Sequence, residues 1–267
     1  MRATETSSCI GPLLLAISIL AVSPAVADDG RAPRVAPIFS NPGGQTYGRW
    51  AAEWWQWALG VPAATNPLVD DTGEDCTQRQ VDDTWFLAGS LGSDPVVREC
   101  TIPERKALFF PLVNKFFGAF LNDPPEQRTE EFVRGQAACE FPVELFAEVD
   151  GFEIRRLERF FTGKPGSQSP LFNVQLPPGN IFGAGEDVIP ELVLSPSAKQ
   201  GFYLFVRPLS LGEHIVHWTA EGCTSVPQDI TYHLSIVPIA SEDGDEHDAA
   251  EGRVGGLRMP GDLRDAD

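Results

Sequence analysis

Positive charge is scarce in this chain: 20 Lys and Arg stand against 38 Asp and Glu, a formal net charge of −18 at pH 7. Nucleic acids and anionic membrane surfaces are recognised by clustered Lys and Arg, so both are excluded as primary partners. Histidine is thin as well, with 4 in the whole chain. No two cysteines form a C-x-x-C pair and no Cys stands beside a His, which removes the usual zinc spacings. Beyond the N-terminus there is no apolar run near the about 20 residues that a spanning helix needs, so no transmembrane segment is expected in the mature chain.

The N-terminus reads as an export signal over residues 1–27. Arg2 supplies a short positive region, residues 10–22 an apolar run, and Ala25-Val26-Ala27 a small-x-small cleavage site before the polar Asp28-Asp29. A buried N-terminal helix fits that ending less well. Cys9 precedes the apolar run and leaves with the signal. Cys76, Cys100, Cys139 and Cys223 remain, an even set that in an oxidising compartment suggests two disulfides with three connectivities open. Cys76–Cys100 is preferred because the strand-like stretch 81–91 between them is one a bridge would brace; Cys139–Cys223 follows by elimination. Each bridge is worth about 3–4 kcal/mol through loop closure.

What the chain has in abundance is tryptophan in one place. Four of its 6 Trp fall within Tyr47-Gly-Arg-Trp-Ala-Ala-Glu-Trp-Trp-Gln-Trp-Ala-Leu59. At helical spacing Tyr47, Trp50, Trp54 and Trp57 share a face that Ala51, Trp55 and Ala58 widen. Arg49 and Glu53 sit opposite at the spacing of a weak ion pair. Gly60 and Pro62 stop the helix. The stripe reads as core, not as a ligand platform.

The rest of the chain alternates short strands with turns. Residues 28–45 are an extended lead-in. Residues 46–142 hold the tryptophan helix, β-type runs at 84–89 and 106–114, an apolar stretch at 116–121 and a second helix at 129–139. In residues 143–239 the runs 143–149, 152–154, 171–176, 201–207, 213–218 and 229–237 read as strands. Asp150-Gly151 is a two-residue hairpin signal. Residues 240–267 form an acidic tail with too little apolar content to order itself. The fold expected is mainly β (α+β): an antiparallel β-sandwich-like body capped by the tryptophan helix and a second helix.

The runs Trp54-Trp-Gln-Trp57, Trp85-Phe-Leu-Ala-Gly89, Cys100-Thr-Ile-Pro-x-x-Lys-Ala-Leu-Phe-Phe-Pro111 and Pro208-Leu-Ser-x-Gly-Glu-His214 resemble a family of exported bacterial proteins of unknown function. The resemblance covers roughly residues 46–238. It implies export and pairing of the first two cysteines, and it brings no activity.

Four patterns suggest chemistry, and each has a plainer reading. Glu148-Val-Asp150-Gly-Phe-Glu153 is similar to the E-x-D-x-x-E signature of secreted jelly-roll glycoside hydrolases, in which two carboxylates about 5 Å apart act as nucleophile and acid/base. Those enzymes carry an apolar residue where Gly151 stands, and Asp-Gly makes a turn that would send Glu153 onto the returning strand. Ala88-Gly-Ser-Leu-Gly92 matches a nucleophile elbow with Ser90 as nucleophile and His214 as base, yet an elbow must open a helix and Ser93-Asp-Pro95 follows. Among the histidines, His214 and His217 point to opposite faces of one strand, while His217 and His233 can meet only across strands. Asp71 and Asp75, in the acidic loop Asp70-Asp-Thr-Gly-Glu-Asp75, offer calcium ligands without the spacing of a known calcium loop. No cofactor is implied. The leading expectation is a non-catalytic extracytoplasmic protein that binds a ligand or an envelope partner. A secreted glycoside hydrolase using Glu148, Asp150 and Glu153 is the alternative, and a structural envelope component a third.

Overall fold

The aromatic stripe and the alternating strands determine where each layer lies. The computed structural model describes residues 32–80 and 83–239. The proposed signal at 1–27, the first residues of the lead-in and the tail at 240–267 lie outside the described residues.

Among the described residues two α-helices, α1 (Tyr47–Leu59) and α2 (Glu130–Gln136), accompany eight strands. These are β1 (Thr84–Phe86), β2 (Val96–Pro103), β3 (Ala107–Phe120), β4 (Glu140–Val149), β5 (Phe152–Glu153), β6 (Phe172–Gln175), β7 (Val193–Val206) and β8 (Gly212–Val237). They form two four-stranded sheets, in the order β1-β3-β7-β6 and β2-β8-β4-β5. The chain is mainly β, a sandwich with helices added, as the strand-and-turn texture predicts. Most pairings are antiparallel, but β1 with β3 and β2 with β8 are parallel. β8 cannot be straight. Glu213 accepts a 2.8 Å hydrogen bond from Ser235, 22 residues on, a separation that would span about 70 Å if extended. The run therefore folds back on itself near Thr224.

Between the sheets, alternation buries one side of β2 and of the last half of β8. Phe110 and Trp218 stack with centroids 4.7 Å apart, and Trp218 stacks on Tyr232 at 5.9 Å. In the last half of β8, Ile230, Tyr232, Leu234 and Ile236 face inward, and Thr231, His233 and Ser235 face outward. The bridges Cys76–Cys100 and Cys139–Cys223 are both formed.

α1 packs on the other side of the first sheet. The Thr46 hydroxyl accepts from the Arg49 N–H, and the Gly60 N–H closes the last turn on Gln56 and Trp57. Trp50 packs on Phe109 and Phe205, and Trp57 on Phe86. Every indole N–H of the helix has an acceptor: Pro42 O for Trp50, Leu87 O for Trp54, the Tyr203 hydroxyl for Trp55 and Gln78 O for Trp57. The stripe therefore enters the core without stranding a polar atom, which is what makes burial of four indoles favourable. Glu53 takes a hydrogen bond from Gln45.

Several boundaries differ from the sequence pattern: the runs 106–114 and 116–121 join in β3, and 213–218 and 229–237 join in β8. α2 begins after its Thr129 cap as expected but ends at Gln136. Cys139 is tied to Cys223 and Glu140 opens β4, so the chain must already be extended there. β7 starts at Val193, ahead of the 201–207 run, because Pro196 and the polar Ser195, Ser197 and Lys199 interrupt its apolar pattern.

Candidate functional site

A 13-residue helix is about 20 Å long, whereas a 14-residue strand runs about 46 Å. α1 therefore cannot roof the whole of β3, and an apolar cleft opens where its cover runs out. Trp54, Trp55 and Leu59 form one side, residues 113–116 of β3 the floor, and Ile181 and Phe182 a lip. Thr224, Val226 and Gln228, from the bend of β8, close the opposite side. Trp55 lies tilted against Phe116 with ring centroids 4.8 Å apart, and Asn114 joins Trp55 in donating to the Tyr203 hydroxyl. Burial pushes the Tyr203 phenol far above its ordinary range, so it stays neutral beneath the cleft.

The remaining wall, residues 89–91, is held by a buried arginine. Arg98 is 1 % exposed and lies between the sheets. Its guanidinium donates to the carbonyls of Asp70, Ala88 and Gly89 and to the Tyr232 hydroxyl. Planar and many-donored, it satisfies several loop carbonyls at once, a role that the single ammonium of Lys cannot fill. Gln228 adds a two-way clamp, donating to Ser90 O and accepting from Ser90 N–H. Asn66 fixes Leu68 from behind through bonds to Ala58 O, Val61 O and the Leu68 N–H.

This cleft has a volume of about 410 Å³. A second, of about 340 Å³, adjoins it and is lined by residues 116–118, Phe120, Ala184, Val188 and Ile189. Phe116 and Phe182 line both. Leu91, Phe182 and Val188 at its borders are each about half exposed. The tryptophan rings are thus core, as their pattern predicts, but Trp54 and Trp55 also line a groove, which the reading of the stripe as core alone does not include. The signal available in sequence was the mismatch between one short helix and the apolar stretch continuing through residue 120.

The other candidates are placed differently. Asp150 and Gly151 both take positive φ and make the hairpin between β4 and β5, with Glu148 directly opposite Glu153. Asp150 is turned away from that pair. Its carboxylate contacts His214 Nδ1 at 2.7 Å and accepts from the Ile215 N–H at 2.8 Å. The cleft that Glu153 lines, about 270 Å³, contains Arg155 and Arg156 but neither Glu148 nor Asp150. The three carboxylates do not converge on a common substrate position.

His214 also approaches a serine, though not Ser90. Its Nε2 lies 3.3 Å from the Ser210 hydroxyl and 3.0 Å from the Ser210 carbonyl. With Asp150 beyond, this has the outline of a nucleophile triad. The same nitrogen lies closer to the Ser210 carbonyl than to the hydroxyl, and none of His214, Ser210 and Asp150 lines any of these clefts. The group acts as a clamp at the start of β8. Ser90 is instead held by Gln228 and precedes a turn and a strand. His217 lies on the outer face of the second sheet between Asp229, 3.1 Å away, and Glu148, 3.7 Å away. It does not meet His233, which is in register with Glu99. In the acidic loop it is Asp70 that organises the turn, accepting from the N–H groups of Thr72, Gly73 and Asp75. Among the described residues, Asp71 and Asp75 belong to no cluster of three or more His, Cys, Asp or Glu side chains able to hold a metal.

Compared with protein-family models, curated proteins and solved structures, the chain matches none. No helix among the described residues is long and apolar enough to cross a membrane.

Proposed function

We propose that this chain is an exported, non-catalytic binding protein whose ligand or partner occupies the groove at the open end of the tryptophan helix. The observation that carries the reading is a pair of adjoining apolar clefts that share Phe116 and Phe182, with partly exposed Leu91, Phe182 and Val188 at the borders. Concave apolar surface with a few fixed polar groups is the usual form of a ligand site. Water leaves such surface favourably, by about 25 cal/mol per Å². Export is supported by the two disulfides, by the Ala25-Val26-Ala27 ending of the N-terminal run, and by the motif resemblance to exported bacterial proteins.

The test is a fluorescence titration with N-phenyl-1-naphthylamine, a probe that brightens in apolar sites. Saturable binding by the purified protein, weakened by Trp55→Ala and unchanged by Phe146→Ala on the far sheet, is the expected result. Equal weakening by both substitutions, or no saturable binding, contradicts it.

A further inference from the structure

We propose that the groove's occupant is a polypeptide segment in extended conformation, added as a strand to the open edge of β3. The inference rests on the binding reading above and names its ligand class.

The edge itself argues for this. β1 pairs only with Ala107, Leu108 and Phe109 of β3, and Leu87 N–H takes the Phe109 carbonyl just beyond. On the other side, β7 pairs along the strand as far as Phe120. In an antiparallel ladder, alternate residues turn their N–H and C=O groups away from the partner. Between residues 112 and 119 those outward groups meet no partner among the described residues. The same stretch floors the groove, residues 113–116 in the first cleft and 116–118 in the second.

An acyl chain lying there would strip water from these groups and return no hydrogen bond, at about 1–3 kcal/mol for each group left unpaired. A strand replaces every one of them at the ladder's own repeat. Its side chains then alternate between the Trp55 and Phe182 side and the Val226 side, which is the logic of strand addition. The charges agree. Lys115, the only cation among the described residues that line the two clefts, is paired with Glu140 at 3.1 Å, so no unpaired positive group among them awaits an acidic headgroup. The net charge of −18 favours a segment flanked by Lys or Arg. The partner is therefore an extended peptide with apolar residues at alternate positions and basic ends.

The experiment uses a fluorescein-labelled peptide, Lys-Lys-Val-Thr-Val-Thr-Val-Thr-Val-Lys-Lys, and two versions N-methylated on one or the other alternate set of core amides. Anisotropy is read against the whole protein, with N-phenyl-1-naphthylamine titrated in parallel. The expected result is saturable binding of the parent peptide, about tenfold or more weakening by one methylated set and within about threefold of the parent for the other, since each lost bond is worth about 1 kcal/mol. Equal binding of both methylated peptides overturns strand addition. So does naphthylamine binding with no peptide binding, and either result leaves the groove reading standing. Failure of naphthylamine and every peptide to bind removes the groove reading as well.

Discussion

The first sheet is covered twice, and the two coverings are unlike. Its inner face meets the second sheet and, at Phe117 and Ala119 near the end of β3, helix α2; beneath the second sheet Phe110, Trp218 and Tyr232 are shut in with at most 1 % exposure. Its outer face meets one helix of 13 residues. That helix seals Phe109 and Phe205 completely or nearly so, yet leaves Asn114, Phe116 and Gly118 of β3 partly exposed. Both interfaces are rich in aromatic rings. What differs is the length of the covering element, and from that difference comes a sealed core on one side and a groove on the other.

The comparison is broken most severely by releasing the bend of β8, because Cys223 anchors it and Thr224 and Val226 beyond it line the groove. Replacing Cys139 and Cys223 by Ser is expected to cost about 4–5 kcal/mol, and replacing Cys76 and Cys100 about 3–4 kcal/mol, because the first loop is longer. Their separations are 84 and 24 residues. Urea denaturation checks the order, and only the first pair should also weaken naphthylamine binding.

Next in size are two tryptophans that separate the coverings. Trp218→Ala should lower stability by about 4 kcal/mol, since its ring is fully enclosed, while the folded fraction keeps its affinity for the probe. Trp55→Ala should cost less, about 2–3 kcal/mol, and reduce probe affinity at least about tenfold. Equal effects on stability and binding at both positions would erase the distinction.

Arg98→Met joins the two sides. It keeps the apolar stem but leaves the Asp70, Ala88 and Gly89 carbonyls without their donor. A loss of about 3 kcal/mol is expected, together with weaker probe binding as residues 89–91 loosen. Denaturation and titration of the same sample check both.

The smallest effect lies in the acidic loop that Arg98 holds. Burial tends to raise the Asp70 carboxyl, but hydrogen bonds from Asp75, Thr72 and Gly73 outweigh it and hold the group below its ordinary range. A carboxyl lowered in the folded state stabilises fully above the unfolded value of about 3.9, and that contribution is lost as pH falls through the folded value. Asp70→Asn should therefore flatten the acid side of the stability curve while leaving groove binding unchanged. Thermal melts between neutral and acid pH check it.

The fold was largely legible because its strongest signals are local. Tyr47 to Leu59 could only bury its indoles as a helix, and Asp150-Gly151 makes the turn its backbone freedom predicts. The parallel pairings were not legible. β1 and β2 are consecutive in the chain but enter different sheets, a choice made by long-range packing that no spacing records. The groove was hidden for a related reason. Arg98, Gln228 and Ser90 carry no signal apart, and only the fold brings the guanidinium to Gly89 and the amide to Ser90. Ser210 beside His214 was equally invisible, since the significance of its approach depends on which nitrogen faces the carbonyl.

The most direct test of an unroofed β3 is residue-by-residue amide exchange along that strand in the free protein. Leu108 and Phe109, paired on both sides, should be protected throughout, whereas alternate amides between 113 and 118 should exchange much faster than those bonded to β7. Uniform protection from residue 107 to 118 would mean that the edge is already covered, and the groove as a binding site would fall with it.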